Sequence, residues 1–295
     1  MTLIGANALK ELGKKELRVL VATEVGMKNS QYVDIEDIAK FAGYGKDETE
    51  RRLKTCHKFN LVHRWTGHFV GYELTIHGYD TLALNALYEE GKITSIGREK
   101  GVGKESKVYY ALTSAEQEVI LKFHRVGYTS FHQVKKKRRY TANKHHISEL
   151  YSSRLSAESE KKWLELANKL NLPVPKIYGS NRHILILELI DGIDLSKLSD
   201  LPDPEETLEQ ILDFIDIAWN KGKFVHGDLS EHNIIMTHDA NPIVIDFPQA
   251  VSNTFKEAEN MLVRDISNIL TYFQRKHGLS YDANVIYSKI TGKSI

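Results

Sequence analysis

The chain has a single cysteine, Cys56, in 295 residues. One thiol excludes a disulfide framework and a multi-cysteine zinc site, and it fits a reducing compartment, so a cytoplasmic location is expected. No apolar run approaches the ~18 residues of a membrane span. The N-terminus also lacks the basic, apolar and small-residue succession of a secretory signal, so no membrane partner is expected. Formal net charge is only +1, which leaves no global field to attract nucleic acid; any such patch must be local. Internal repeats are absent, as is extended low complexity outside one basic stretch. What remains is 41% hydrophobic residues and a length that suggests roughly two domains with real cores.

Residues 1–90 read as mostly helical. Leu9, Leu12, Leu17, Leu20 and Val21 recur at helical spacing. "DIEDIAKFAGY" opens on Asp34 as N-cap and stops at Gly43. "KDETERRLKTCHKFNLV" predicts a second short helix, with Asp47 as cap and Glu50 three residues on. "LVHRW" and "GYELTI" alternate as strands of a hairpin. Helix-turn-helix followed by a hairpin is the winged-helix arrangement. Its recognition helix carries Lys46, Arg51, Arg52, Lys54 and Lys58, and its wing His63, Arg64 and His68, which makes this face a candidate nucleic-acid contact. Asp47, Glu48 and Glu50 dilute that charge, and a solvated or protein-docking face is the competing reading. "HGYDTLALNALYEEGKI" closes the domain as a helix ending at Gly91.

The second region opens with strand-like "ITSIGREKGVGKESKVYYAL" and "EQEVILKFH" around a glycine turn. Between Arg125 and His146 follow seven Lys/Arg and no acid. Amphipathic helices return at "ISELYSSRLSAESEKKWLELANKL", "PEETLEQILDFIDIAWNKG" and "ENMLVRDISNILTYFQRKHG"; Trp163 and Trp219 on two of them read as core, and Cys56 as a small packing residue. "GVGKES" is not a Walker A loop, because Arg98 stands where its first glycine belongs and Glu105 follows Lys104. A glycine-rich hairpin can instead cover phosphates, with backbone amides and Ser106 as donors. Lys122, in "EVILKF", shares a strand face with Ile120 and so points inward, where it needs an anionic partner; Glu160 on the following helix is the candidate, with Glu158 a near rival.

In "FVHGDLSEHNIIMTHDANPIVIDFPQ", Asp228 and Asn233 match the spacing of a kinase catalytic loop, and Asp246 matches a second metal-binding acid. Mg²⁺ takes oxygen ligands, usually one or two carboxylates plus phosphate oxygens. Each piece is unspecific alone; the glycine turn, Lys122, Glu160, Asp228, Asn233 and Asp246 in this order are specific.

With "GVGKESKVY", "LKFHRVGYTSF", "YSSRLSAESE", "HGDLSEHN" and "IDFPQ" on the page, the chain resembles the RIO atypical serine/threonine protein kinases, in the subfamily with an N-terminal winged helix. The resemblance covers nearly the whole chain. It implies an α+β fold: a winged helix with closing helix (1–90), then a compact two-lobed kinase-like domain with N-lobe 91–190, holding the basic loop 125–146, and a short C-lobe 191–295. It implies ATP as substrate and Mg²⁺, or Mn²⁺, as metal. Asp228, Lys122 and Glu160 would be catalytic, and Asn233 and Asp246 would hold metal. Gly101, Gly103, Lys104, Ser106, Val108, Lys122, Glu188 and Ile190 would contact nucleotide, with "LELI" as the adenine hinge. Asp265 resembles the helix aspartate that braces the catalytic loop. "DFP" in place of D-F-G departs from typical kinases, since Pro248 fixes φ where glycine is free. The family further implies a role in small ribosomal subunit maturation, with the subunit precursor and its rRNA as partners, and the chain itself, at Asp246, as a transient phosphoryl acceptor. Lys135–Arg139 fits RNA contact, with Tyr128, Phe131 and Tyr140 for stacking. Two other readings stand beside it: a small-molecule kinase of the aminoglycoside or choline type, and a nucleic-acid-binding regulator whose kinase-like domain only senses ATP.

Overall fold

The computed structural model describes residues 4–103, 105–125 and 149–293. Lys104 and the 126–146 part of the basic stretch lie outside them. By spatial proximity the chain forms two compact units, Met1–Leu155 with Gly179–Ile186, and Ser156–Tyr178 with Leu187–Ile295. The helical N-terminal region and the first large sheet therefore share one unit.

That first unit begins with α1 (Ile4–Ala8), α2 (Lys14–Gly26), β1 (Val33–Asp34), α3 (Ile35–Ala42) and α4 (Lys46–Lys58). The hairpin β2 (Val62–Thr66) and β3 (Val70–Leu74) follows, with α5 (Ile76–Glu89) after it. The small sheet runs β1-β3-β2, so β3 is central and the wing closes on the strand that feeds α3. The Asp34 carboxylate accepts the Glu36 N–H at 2.7 Å and starts α3. Gly43 ends it at φ +69, a left-handed conformation that glycine adopts without a Cβ penalty. Helix α4 differs from expectation. Its N-cap is Gly45, and Asp47 sits inside the first turn, where it complements the helix dipole instead of capping. Leu20, Ile38, Leu53 and Leu61 are fully buried at the centre of this domain, each worth about 1.5–3 kcal/mol of apolar transfer. Cys56 packs with them, its thiol pushed up to about 12 by burial.

The cations of α4 are largely engaged within their own domain. Lys46 meets Glu36 at 2.9 Å and Lys54 meets Glu50 at 3.0 Å. Arg52 bridges Glu16 at 2.8 Å and Glu48 at 2.7 Å, and Arg51 also reaches Glu48. Hydrogen bonds from Arg52 and Lys15 hold the Glu48 carboxyl down to about 2. A polyanion docking on this helix has to compete with these carboxylates.

Three antiparallel strands follow: β4 (Ser95–Val102), β5 (Ser106–Leu112) and β6 (Glu118–His124). A hairpin of β7 (Ile177–Asn181) and β8 (Ile184–Glu188) completes a sheet of order β4-β5-β6-β8-β7. Helix α6 (Glu149–Lys169) begins in this unit, with Leu150 in the winged-helix core, and continues into the other.

In the second unit β9 (Gly192–Asp194), α7 (Pro204–Asn220) and β10 (Phe224–Val225) precede β11 (Ile234–Thr237) and β12 (Pro242–Val244). Then come β13 (Val251–Ser252), α8 (Ala258–His277) and α9 (Ala283–Thr291). The sheet β12-β11-β9 presents the loops before β11 and after β12 at one end, since Ile234 pairs with Val244. Trp163 and Trp219 are buried as expected, Trp163 against Phe224 at 5.4 Å. Helix α8 starts twelve residues after Asp246 (258 − 246), which leaves no room for a kinase-type activation segment. Among the described residues no helix is long and apolar enough to cross a membrane.

Candidate active site

The first unit holds the glycine turn and Lys122. Strands β4 and β5 are joined by that turn, closed by the Gly103 N–H donating to the Ser106 carbonyl at 2.8 Å. Val108 pairs with Gly101 on one side and with Lys122 on the other, so the antiparallel register stacks turn, valine and lysine across three strands. Lys122 is buried, as its strand position predicts. A Cβ built on Gly101 meets nothing within 4 Å, and one on Gly103 only approaches the Ser106 Oγ at 3.3 Å. Nothing in the folded chain demands glycine at Gly101, and its backbone is open to close approach. Val102, next to Gly101, is an exposed apolar side chain.

The second unit holds the acids. Asp228 lies on a loop clamped by one face of α8. Asp265 accepts the Gly227 N–H at 2.7 Å and the Leu229 N–H at 3.1 Å. Asn268 donates to the Leu229 carbonyl at 3.1 Å, and Arg264 donates to the Gly227 carbonyl. Both backbone groups of both neighbours of Asp228 are thus tied down, while the Asp228 side chain is exposed. The bracing role of Asp265 follows the sequence expectation. The parts played by Arg264 and Asn268 had a signal that went unused: with Asp265 they lie at i, i+1 and i+4 on one helix. Burial pushes the Asp265 carboxyl up to about 7, against the pull of its two N–H donors and Arg264.

Two hydrogen bonds lock this loop to the segment carrying Asp246, and a third closes the loop on itself. His226 Nε2 lies 3.0 Å from the Ile245 carbonyl, and the Ile245 N–H donates to the Asn233 carbonyl at 2.9 Å. Asn233 Nδ2 donates to the Asp228 carbonyl at 2.7 Å. Beyond Asp246, Phe247 is fully buried against His226, ring centroids 4.6 Å apart. Its N–H donates to Glu160 Oε1 at 3.2 Å. Glu160 is therefore no solvated helix glutamate: it is fully buried and holds the backbone of the residue after Asp246. Asp246 itself has φ +70, a left-handed conformation rare for a non-glycine residue and concentrated at functional sites.

The donor set suits a hard cation. With Asn233 Nδ2 committed to the Asp228 carbonyl, its Oδ1 is the atom that would face a metal, and Asp246 would add a carboxylate. Among the described residues no three or more His, Cys, Asp or Glu are grouped to hold a metal ion. This pair becomes a full site only with phosphate oxygens, which is how Mg²⁺ is usually held. Of the expected hinge residues, Glu188 ends β8 and Ile190 follows two residues on. Glu188 accepts the Lys176 N–H on its carboxylate at 3.0 Å and gives its own N–H to the Lys176 carbonyl at 2.9 Å, which fixes the segment. Of the expected nucleotide and metal residues only Lys104 lies outside the described ones.

Comparison with known proteins places most of the chain in known families. Residues 107–286 match the RIO domain, and residues 9–90 match the Rio2 N-terminal domain. A RIO-type serine/threonine-protein kinase Rio2 of Methanocaldococcus jannaschii is 37% identical over 276 residues, covering 90% of this chain and 100% of that one. The serine/threonine-protein kinase rio2 of Dictyostelium discoideum is 35% identical over 270 residues, covering 92% of this chain and 52% of that one. The chain thus spans about half the length of the Dictyostelium relative. A crystal structure of a Rio2 kinase from Chaetomium thermophilum, with ADP, Mg²⁺ and phosphoaspartate, superposes with TM-score 0.84 at 29% identity, over 97% of this chain and 88% of that one.

Proposed function

The chain belongs to the RIO kinase family, in the branch with a Rio2-type N-terminal domain, and from that premise we propose that it moves the γ-phosphoryl group of ATP, as a serine/threonine kinase or an ATPase, during maturation of the small ribosomal subunit. The observation that carries this reading is the locked pair of loops that fixes Asp228, Asn233 and Asp246 on one hydrogen-bonded frame.

Lys122 places a positive charge on the α- and β-phosphates, and the Gly101–Ser106 turn covers them with backbone donors. Glu188 and Ile190 offer backbone groups to adenine. Asn233 and Asp246 would hold Mg²⁺, or Mn²⁺ in its place, which when bound would supply positive charge to the phosphate oxygens. Asp228 orients the acceptor and takes its proton as the acceptor oxygen bonds to the γ-phosphorus. The bond from that phosphorus to the β–γ bridging oxygen breaks, and ADP leaves. A serine or threonine hydroxyl as acceptor gives a phosphoprotein, and water gives phosphate. The phosphoaspartate of the Chaetomium relative supports a third acceptor: the Asp246 carboxylate attacks without losing a proton, and water later cleaves the acyl phosphate.

The pre-ribosomal particle and its rRNA are the partners in this reading, and the cytoplasm is its location. Mg-ATP turnover tests it, measured on the chain and on Asp228→Ala with and without small ribosomal subunits. Slow turnover that subunits alter and the substitution lowers at least 10²-fold is the expected result. Turnover indifferent to both overturns the assignment.

A further inference from the structure

Helix α5 carries a charge where an apolar residue belongs. Tyr79, Leu82, Ala83, Leu84 and Leu87 of this helix are buried, and Asp80 is buried among them at 1% exposure. A carboxylate in that position is costly unless paired. Its partners come from the kinase-like sheet. Arg125, the residue after β6, places Nη2 at 2.7 and 2.8 Å from the two Asp80 oxygens. His183, in the β7–β8 turn, places Nε2 at 2.8 Å from Asp80 Oδ1. Tyr79 stacks on the His183 ring at 4.7 Å, and Phe123 meets its edge at 5.9 Å, so aromatic rings wall the cluster in.

Both partners lead onward to the same place. The Arg125 backbone N–H donates to the Glu105 carbonyl, inside the glycine turn, at 2.7 Å. The His183 carbonyl accepts the His124 N–H at 2.9 Å, and His124 pairs with Ser106 at the other end of that turn. Two routes, one of two links through Arg125 and one of three through His183 and His124, thus run from one winged-helix carboxylate to the Gly101–Ser106 turn. Stability alone does not call for such a cluster, since well-packed apolar residues in place of a buried ion pair are often as stable. What they lack is direction: a buried carboxylate that takes one guanidinium nitrogen on both its oxygens, in charge-assisted hydrogen bonds, fixes where that nitrogen lies, and with it the side chain and backbone that carry it.

We propose that Asp80 is a positioning residue for the phosphate-binding turn, so that the N-terminal domain sets nucleotide affinity through a carboxylate that does not touch the nucleotide. The inference rests on reading Gly101–Ser106 as the turn over the phosphates. Mg-ATP binding to the full chain, by titration calorimetry, tests it together with hydrogen exchange of the 101–106 amides. The variants are Asp80→Asn, Arg125→Gln, their double, Leu53→Ala and Lys122→Met. Asp80→Asn and Arg125→Gln are each expected to weaken Mg-ATP binding roughly tenfold, the equivalent of about one hydrogen bond to phosphate. Both speed exchange in the turn, and the double variant is no worse than either single, because the two residues act through one pair. Leu53→Ala, which loosens the winged-helix core away from the cluster, leaves binding and turn exchange unchanged. A lower melting temperature for Asp80→Asn with binding within twofold of the unmodified chain makes the cluster merely structural and overturns the proposal. Should Asp80→Asn fail to fold, Arg125→Gln decides alone by the same thresholds. Unchanged binding by Lys122→Met overturns the underlying nucleotide reading instead, and the two failures are told apart.

Discussion

Replacing Asp265 with asparagine changes charge at nearly constant shape, at the point where α8 grips the catalytic loop. The carboxylate receives the Gly227 and Leu229 N–H groups at 2.7 and 3.1 Å in a fully buried setting. Burial raises its pKa from 3.8 to about 7. An acid with a raised folded-state pKa contributes stability that is fully present below about pH 3.8 and is lost as pH rises toward 7. Integrating between pH 5 and pH 8 gives a loss of about 3 kcal/mol in the unmodified chain. Asparagine does not titrate, so its variant escapes that slope. It pays instead a pH-independent cost of about 1–3 kcal/mol, because its amide NH₂ faces one of the two N–H donors. Urea unfolding of both chains at pH 5, 6, 7 and 8 gives the comparison. The stability advantage of the unmodified chain over Asp265→Asn should shrink by about 3 kcal/mol across that range. An advantage constant to within ~0.5 kcal/mol would refute the claim that burial governs this carboxyl, since one ionised throughout would show no slope.

His183 predicts the opposite slope. Burial lowers its pKa from 6.5 to about 4, so the stability it contributes is complete above pH 6.5 and is lost as pH falls toward 4, by about 3 kcal/mol. His183→Phe should flatten the acid limb of a thermal-melt pH profile, and an unchanged limb would put the titrating group elsewhere. Gly227→Ala combines a φ of +79 with a Cβ 2.9 Å from the Gln249 carbonyl and 2.3 Å from the flexible Met261 Cε. It should cost about 2–4 kcal/mol in chemical denaturation and abolish turnover, because the loop can relieve the contact only by moving Asp228.

Much of the fold was legible because its signals are local. Asp34 and Gly43 mark α3 by cap chemistry that needs no tertiary partner. The β2–β3 hairpin and the β5–β6 pair follow from alternation. The acids Asp228 and Asp246 stand out because a charge beside an apolar strand demands an explanation. Where sequence reasoning fell short, the deciding contact was distant. Asp47 looked like the cap of α4, but the chain enters that helix through Gly45. The α4 cations looked available to a polyanion, yet Arg52 is held by Glu16, 36 residues away. Asp80 drew no notice in the sequence because its partners Arg125 and His183 lie 45 and 103 residues from it. Strands as short as β1, β10 and β13, two residues each, carry no periodicity to detect.

The central claim is that Asn233 and Asp246 present oxygens to a cation that bridges to nucleotide phosphates. Its most direct test is ADP binding by titration calorimetry with Mg²⁺ and with chelator, for the chain and for Asp246→Asn. The account predicts that Mg²⁺ tightens ADP binding at least tenfold in the unmodified chain, and that Asp246→Asn loses most of that gain while its metal-free binding stays within about threefold, because the charge that holds the metal is gone. An equal magnesium effect in both chains would place the metal elsewhere and contradict the account.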